Sequence, residues 1–224
     1  MSDLRCLRCD AGRHLCLEAH RDRSFLCMYG LKASTSRRLP FTSHMHCECK
    51  LHSQTAPLLN FVLQFTSGTS SQCYKLVRLD FSQRSACLQS IKGVENLPHS
   101  AEDVRSLESL ACQPASLPGL NKFFALHVQA TLDDGENVRI KVEVGDLVVI
   151  DAVCPLDIPD VRNIHVGVLV MRGGALVLKD VWTQVDGQEA DNSSSSRPSH
   201  ATRAQSSAAK PMEGRSSARV TVSS

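Results

Sequence analysis

The chain has 224 residues and a formal net charge of +2; 42% of it is apolar, yet only 4% is aromatic. That is length for one large domain or two small ones, with a core made mainly of Leu, Val and Ala. No run approaches the roughly 18 consecutive apolar residues of a membrane-spanning helix. Charge is unevenly spread: residues 1–50 hold nine Lys/Arg against five Asp/Glu, residues 51–186 eleven against fifteen, and residues 187–224 five against three. A general nucleic-acid binder is usually a basic domain, so this balance counts against a sequence-blind DNA clamp and leaves room for a local basic face.

Residues 1–52 carry six of the ten cysteines and five of the nine histidines. The opening MSDLRCLRCDAGRHLC has no apolar h-region, so it does not read as a secretory signal, and reduced thiols in a cytosolic or nuclear protein are expected. Cys6 and Cys9 have the spacing of a metal knuckle, and Cys16, His20, Cys27, Cys47 and Cys49 are candidates for the other half of one structural zinc site, a zinc ribbon, with Cys47 and Cys49 the pair taken first. Ordinary thiols are the competing reading. His44-Met-His46-Cys47 is dense in ligand types, but the sequence has no Pro-Cys-x-x-Cys segment to join to a His-x-Glu as a zinc deaminase requires.

Periodicity takes over after residue 56. PLLNFVLQF puts Leu59, Phe61, Leu63 and Phe65 on one face, CYKLVRLDF puts Val77, Leu79 and Phe81 on another, and the polar TSGTSSQ between them reads as a hairpin loop. HSAEDVRSLESLAC reads as a helix: Ser100 caps, Glu102 and Asp103 suit its positive end, and Val104, Leu107, Leu110 and Ala111 form a stripe. Pro114 and Pro118 stop it.

In FFALHVQATL, Phe124, Leu126, Val128, Ala130 and Leu132 alternate with Ala125, His127, Gln129 and Thr131. Asp133-Asp134-Gly135 supplies a turn. VRIKVEV then buries Val138, Ile140, Val142 and Val144 and exposes Arg139, Lys141 and Glu143, and Gly145-Asp146 leads into LVVIDAV. NIHVGVLVM and ALVLKDVW, separated by Arg172-Gly173-Gly174, read as a further hairpin. Residues 187–224, with Ser193 to Ser196 in a row and few large apolar groups, read as a disordered tail, whose serines near arginine are potential phosphorylation sites.

The order strand, LDDG, strand, VGDLVVI, polar loop, RNIHVGVLV resembles the OB-folds of replication protein A and of telomere-capping and DNA-repair proteins, over about residues 120–182. After LDDG this chain has Glu136-Asn137 where those folds usually carry Thr-Gly. The resemblance implies a mainly β, OB-like small barrel with one helix over residues 53–186, between a Cys/His-rich segment at 1–52 and the tail. It implies a nuclear protein of genome maintenance that binds single-stranded DNA or a DNA-repair partner. A basic groove with stacking aromatics is how such barrels hold single strands; Arg139, Lys141, Lys122, Arg162, Arg172 and Phe123 are the residues for it, with Trp182 a second aromatic. The alternative is a scaffold whose barrel binds a peptide and no nucleic acid. The sequence has no G-x-S-x-G elbow, P-loop or dinucleotide turn, so a non-enzyme is expected.

Overall fold

The alternation seen at residues 124–144 extends to FTSHMHCECKLH, where Phe41, Met45, Cys47, Cys49 and Leu51 point inward and His44, His46, Glu48 and Lys50 outward. Such a strand has one dry face and one wet one. The computed structural model describes residues 5–9, 14–18, 25–30, 40–52, 57–67, 71–91, 98, 100–171, 174–186 and 219–222. In chain order these form β1 (Arg5–Cys9), β2 (His14–Glu18), β3 (Phe25–Gly30), β4 (Phe41–His52), β5 (Leu58–Ser67), β6 (Gln72–Asp80) and β7 (Ser85–Ile91). Then come α1 (Ala101–Ser106), β8 (Ser109–Pro114), β9 (Phe124–Leu132), β10 (Asn137–Val144), β11 (Leu147–Pro155), β12 (Val161–Val170), β13 (Ala175–Asp186) and β14 (Arg219–Val222).

The strands make two open seven-stranded sheets, ordered β1-β2-β13-β4-β9-β10-β11 and β14-β3-β12-β5-β6-β7-β8. Their inner faces pack together through one apolar layer, in which Phe61, Phe65, Leu126, Val128, Ile140 and Val168 are among the fully buried members. The mainly β composition with one helix agrees with expectation; the OB-like barrel does not. β11 ends the first sheet as an edge, and the chain then crosses to the second sheet, so no strand closes a barrel. The expected hairpin across Arg172-Gly173-Gly174 fails for the same reason. β12 pairs with β3 and β5, whereas β13 pairs with β2 and β4. β4, at the end of the expected Cys/His-rich segment, lies between β13 and β9 inside the first sheet, and β14 of the expected tail pairs with β3; the rest of that tail lies outside the described residues.

Two hairpins match their turn chemistry. β5 and β6 pair across the TSGTSSQ segment, and β9 and β10 pair across Asp133 to Glu136. In the second, Asp134 Oδ1 accepts the backbone N–H of Glu136 and of Asn137, both at 2.9 Å, and Gly135 takes φ 80°. Those hydrogen bonds, with Asn137 first, hold the Asp134 carboxyl below its ordinary range. The next turn is as tight: Gly145 has φ 60° and the chain returns at once as β11.

α1 is shorter than expected. Ser100 Oγ accepts from Asp103 N at 3.1 Å while Ser100 N donates to Asp103 Oδ2 at 2.9 Å, a reciprocal cap. After Ser106 the chain turns to strand, because Ser109–Pro114 pairs with β7, and Leu110, expected in the helix stripe, is exposed. α1 covers the outer face of β6 and β7 with Val104 and Ala101 over Tyr74, Leu76 and Ile91. β6 and β7 are therefore buried on this side as well, and their polar members need partners. Gln89 Nε2 donates to the carbonyls of Val104 and Leu107 at 2.9 and 3.0 Å, and the buried Asp80 carboxylate takes Arg105 Nε at 2.9 Å and Ser82 Oγ at 2.6 Å.

A β-bulge sets the faces of β13. Leu176 and Leu178 are buried, so plain alternation would turn Asp180 and Trp182 inward as well. Lys179 pairs with Glu48 and Trp182 with His46, three steps on β13 against two on β4. The extra residue, with Asp180 at φ 51°, reverses the parity. Val181 and Val185 then pack on the core, and Trp182, Gln184 and Asp186 face outward.

Two outcomes are expected. Asp80→Asn should lower stability by about 2–4 kcal/mol in urea unfolding at neutral pH, since it leaves Arg105 and two backbone-linked donors short of their anion. Burial raises the Asp80 carboxyl, but hydrogen bonds from Arg105, Ser82 and Gln83 outweigh it and the net position is low. Its contribution is thus present above the ordinary aspartate value of about 3.9 and is lost as pH falls below it. Asp180→Val should cost about 1–2 kcal/mol and Asp180→Gly no more than about 1 kcal/mol, because only the first forces a β-branched residue into positive φ; thermal unfolding of the two variants checks it.

Candidate functional site: the outer face of the first sheet

The outward side chains of β13, β4, β9, β10 and β11 form one polar surface. Across its middle run Trp182, His46, His127 and Glu143, in register from strand to strand. Trp182 is 45% exposed, and its ring lies over that of His46 with centroids 5.4 Å apart and planes 22° from parallel. His127 tilts against both, at 6.4 Å from each. A second aromatic, Phe123, stands just before β9 at 42% exposure, with Lys50 Nζ 5.4 Å from its ring centre. Lys50 is four residues beyond His46 on β4, so the two platforms lie about 13 Å apart along the strand.

A chain of four groups crosses the same surface. His44 Nε2 lies 3.1 Å from Asp186 Oδ2, His44 Nδ1 and His127 Nε2 share a hydrogen bond of 3.2 Å, and His127 Nδ1 lies 3.1 Å from Glu143 Oε2. With the ring centroids 5.3 Å apart and the planes 11° from parallel, the two imidazoles meet end to end. All four of their ring nitrogens are engaged. Thr42 and Thr131 share a hydrogen bond of 3.1 Å below them, and Gln129 and Gln184 flank the chain.

Three cations of this face are paired with carboxylates, while Lys50 lies against the Phe123 ring. Arg139 holds Asp151 with two bonds of 2.7 Å, Lys141 Nζ lies 2.7 Å from Glu143, and Lys179 Nζ lies 3.0 Å from Glu48 and 3.3 Å from Asp180. The bond from Lys141, then that from His127, holds the Glu143 carboxyl below its ordinary range, and Arg139 does the same for Asp151.

The expected DNA-groove residues are dispersed. Arg139 and Lys141 share the outer face as expected, and Lys122 and Phe123 sit at its far end in the turn before β9. Arg162 is on β12 in the other sheet, bound to Asp160 at 2.8 Å. Arg172 lies outside the described residues. The expected zinc set is not brought together either. Cys47 and Cys49 are buried on the inner face of β4 with sulfurs 3.7 Å apart, and burial, then the hydrogen bond from Cys47, pushes the Cys49 thiol well up. β1, which carries Cys6 and Cys9, is separated from β4 by β2 and β13, roughly 14 Å at ordinary strand spacing. Among the described residues no group of three or more His, Cys, Asp or Glu is arranged to hold a metal ion.

Trp182 was legible as an aromatic but its face was not, because that depends on the bulge. Gln184 and Asp186 were missed with it. His44 and His46 stand out in the sequence only as a ligand-dense run, although the alternation of His44, His46, Glu48 and Lys50 with Met45, Cys47, Cys49 and Leu51 is itself the signal of a strand with a polar face.

No family model matches the chain, and no curated protein sequence matches it. Solved structures do. The carbohydrate recognition domain of Emp47p matches with TM-score 0.51 at 11% identity, over 83% of this chain and 86% of that one. The potassium-bound carbohydrate recognition domain of Emp46p matches with TM-score 0.51 at 12% identity, over 81% and 85%. The exoplasmic/lumenal domain of VIP36, in a Ca²⁺/Man3GlcNAc-bound form, matches with TM-score 0.50 at 11% identity, over 85% of each. At these identities the likeness is one of fold. It overturns the resemblance to OB-fold proteins, and with it the single-stranded-DNA and DNA-repair partners, the genome-maintenance role and the barrel scaffold that followed from it. The nuclear placement loses both supports, since a fold of this kind occurs in a lumenal domain and Cys87 and Cys112 form a disulfide. This chain has the lectin-like β-sandwich fold of those carbohydrate recognition domains.

Proposed function

We propose that the chain is a non-catalytic carbohydrate-binding module that takes a neutral glycan on the outer face of β13, β4 and β9. The carrying observation is the exposed Trp182 ring, braced on His46 at the centre of a polar sheet face on which Arg139, Lys141 and Lys179 are already neutralised. A pyranose presents a flat face of C–H bonds with hydroxyls around its rim. An exposed indole suits that face, since it offers a large apolar surface at little entropic cost. Gln129 and Gln184, two residues along their strands from the Trp182 row, supply amides that can donate and accept, which is what a hydroxyl needs, and Thr42 and Thr131 lie two residues further on. Phe123, about 13 Å along β4, offers a second platform for a longer chain.

Charge decides between neutral and acidic sugars. At Trp182 a uronate or sulfate would have to draw Arg139, Lys141 or Lys179 away from carboxylates at 3.0 Å or less, since Lys50 stands at Phe123, about 13 Å along β4. A neutral sugar leaves those pairs intact. The ring nitrogens of His44 and His127 are all bound within the face, which supports binding without proton transfer. The likeness to carbohydrate recognition domains supports sugar as the ligand class, and the Cys87–Cys112 disulfide suits an oxidising compartment.

Titration of the chain against panels of neutral and acidic oligosaccharides should give binding in the neutral panel. Trp182→Ala should weaken it at least about tenfold, a loss of roughly 1.4 kcal/mol, with the circular dichroism unchanged. Equal affinity in the Trp182→Ala chain, or a preference for acidic glycans, would refute the reading.

A further inference from the structure

Among the described residues, Arg78 is a buried cation without a carboxylate of its own. It lies on β6, 5% exposed; Nη1 donates to the Val104 carbonyl at 3.4 Å and Nη2 to Cys87 Sγ at 3.0 Å. Among the described residues its Nε has no hydrogen-bond partner. Asp80, two residues along the same strand, is taken up by Arg105 and Ser82. Burial pulls the guanidinium below its usual range, and Asp80 offsets this only in part. Desolvating a charge in this way is costly unless an opposite charge is at hand.

The neutral sulfur at 3.0 Å belongs to a disulfide. Cys87 and Cys112 are directly opposite in the β7–β8 register and are bonded to each other. Cys87 is fully buried, whereas Cys112 is exposed on β8, the edge strand of the second sheet. One sulfur therefore faces solvent and the other faces a cation.

We propose that Cys87–Cys112 is a thiol–disulfide exchange site for soluble thiols such as glutathione, in which Cys87 leaves as a thiolate and becomes the counter-ion that Arg78 lacks. An incoming thiolate attacks Cys112 Sγ, the accessible sulfur. A new sulfur–sulfur bond forms there, the Cys112–Cys87 bond breaks, and its electron pair goes to Cys87 Sγ beside the guanidinium. A second thiolate attacks the mixed disulfide, leaving Cys112 as a thiolate that takes a proton from water. Two external thiols are oxidised to one disulfide and the protein gains two electrons. A leaving sulfur that is stabilised as a thiolate leaves faster, and a cation within hydrogen-bond reach is that stabilisation. β8 then loses its covalent tie to β7 and keeps its hydrogen bonds, including that of Gln113 Nε2 to the Val149 carbonyl of β11 at 2.6 Å. The site is separate from the outer face of the first sheet and does not depend on what that face binds.

The test uses the full oxidised chain with glutathione, following the Cys87–Cys112 peptide by mass spectrometry after differential alkylation. Reduction of Arg78→Met should be about tenfold slower than that of the native chain, with Arg78→Lys in between, and glutathione should be captured on Cys112. Equal rates in native and Arg78→Met chains, glutathione on Cys87, or no cross-linked peptide after air oxidation would overturn the proposal. Should Arg78→Met not fold, the Cys112→Ser chain answers instead. Its thiolate ultraviolet absorbance at neutral pH should exceed that of Cys87→Ser/Cys112→Ser, and no difference would overturn the proposal.

Discussion

The apolar layer between the two sheets determines which side chains of β4, β9, β10 and β13 are left outside, and the candidate site consists of those side chains. Burying a Val or Leu contributes roughly 1.5–3 kcal/mol. A one-residue slip in β9 would turn out Leu126, Val128 and Leu132, all fully buried, and turn in His127, Gln129 and Thr131. Register is therefore held by a penalty of several residues at once, and the row Trp182, His46, His127, Glu143 inherits that precision. The bulge at Lys179 to Trp182 is the one place where β13 departs from parity, and it is what brings an aromatic to the row.

The two sheets meet the polar-burial problem differently. The first leaves one face wet, and most of its charges neutralise each other in solvent. Exposed pairs of that kind contribute little to stability; their consequence is for ligand choice, because they leave few cations free to hold an anion. The second sheet is dry on both sides over β6, where α1 covers it, and there polar groups must be matched inside. Gln89 and Asp80 find partners that also fasten the helix. Arg78 is matched less completely, and its nearest unsatisfying contact is the sulfur of a bond that can be broken.

The OB-like expectation failed for a physical reason. Strand, LDDG turn, strand and a glycine-led third strand describe an antiparallel meander, and β9, β10 and β11 are that meander. The local chemistry of Asp134 and Gly135 is the same whether the meander later closes into a barrel or lies in an open sheet. What distinguishes the two is the destination of β12, which pairs with β5 from a distant part of the chain. Ser109–Pro114 shows the same limit at shorter range: its helical spacing of Leu107, Leu110 and Ala111 yields to pairing with β7 and to the bond from Cys112 to Cys87.

Local information in the sequence was sufficient for the alternating strands of residues 124–144, the turns at Asp134 and Gly145, the Ser100 cap and the shared face of Arg139 and Lys141, because each depends on neighbours within a few residues. Sheet membership, the crossing between β12 and β13, the outward turn of Trp182, the separation of Cys6 and Cys9 from Cys47 and Cys49, and the pairing of each cation were decided by tertiary structure. Those depend on which distant strand lies alongside, and the total apolar burial of the two packed sheets selects that partner.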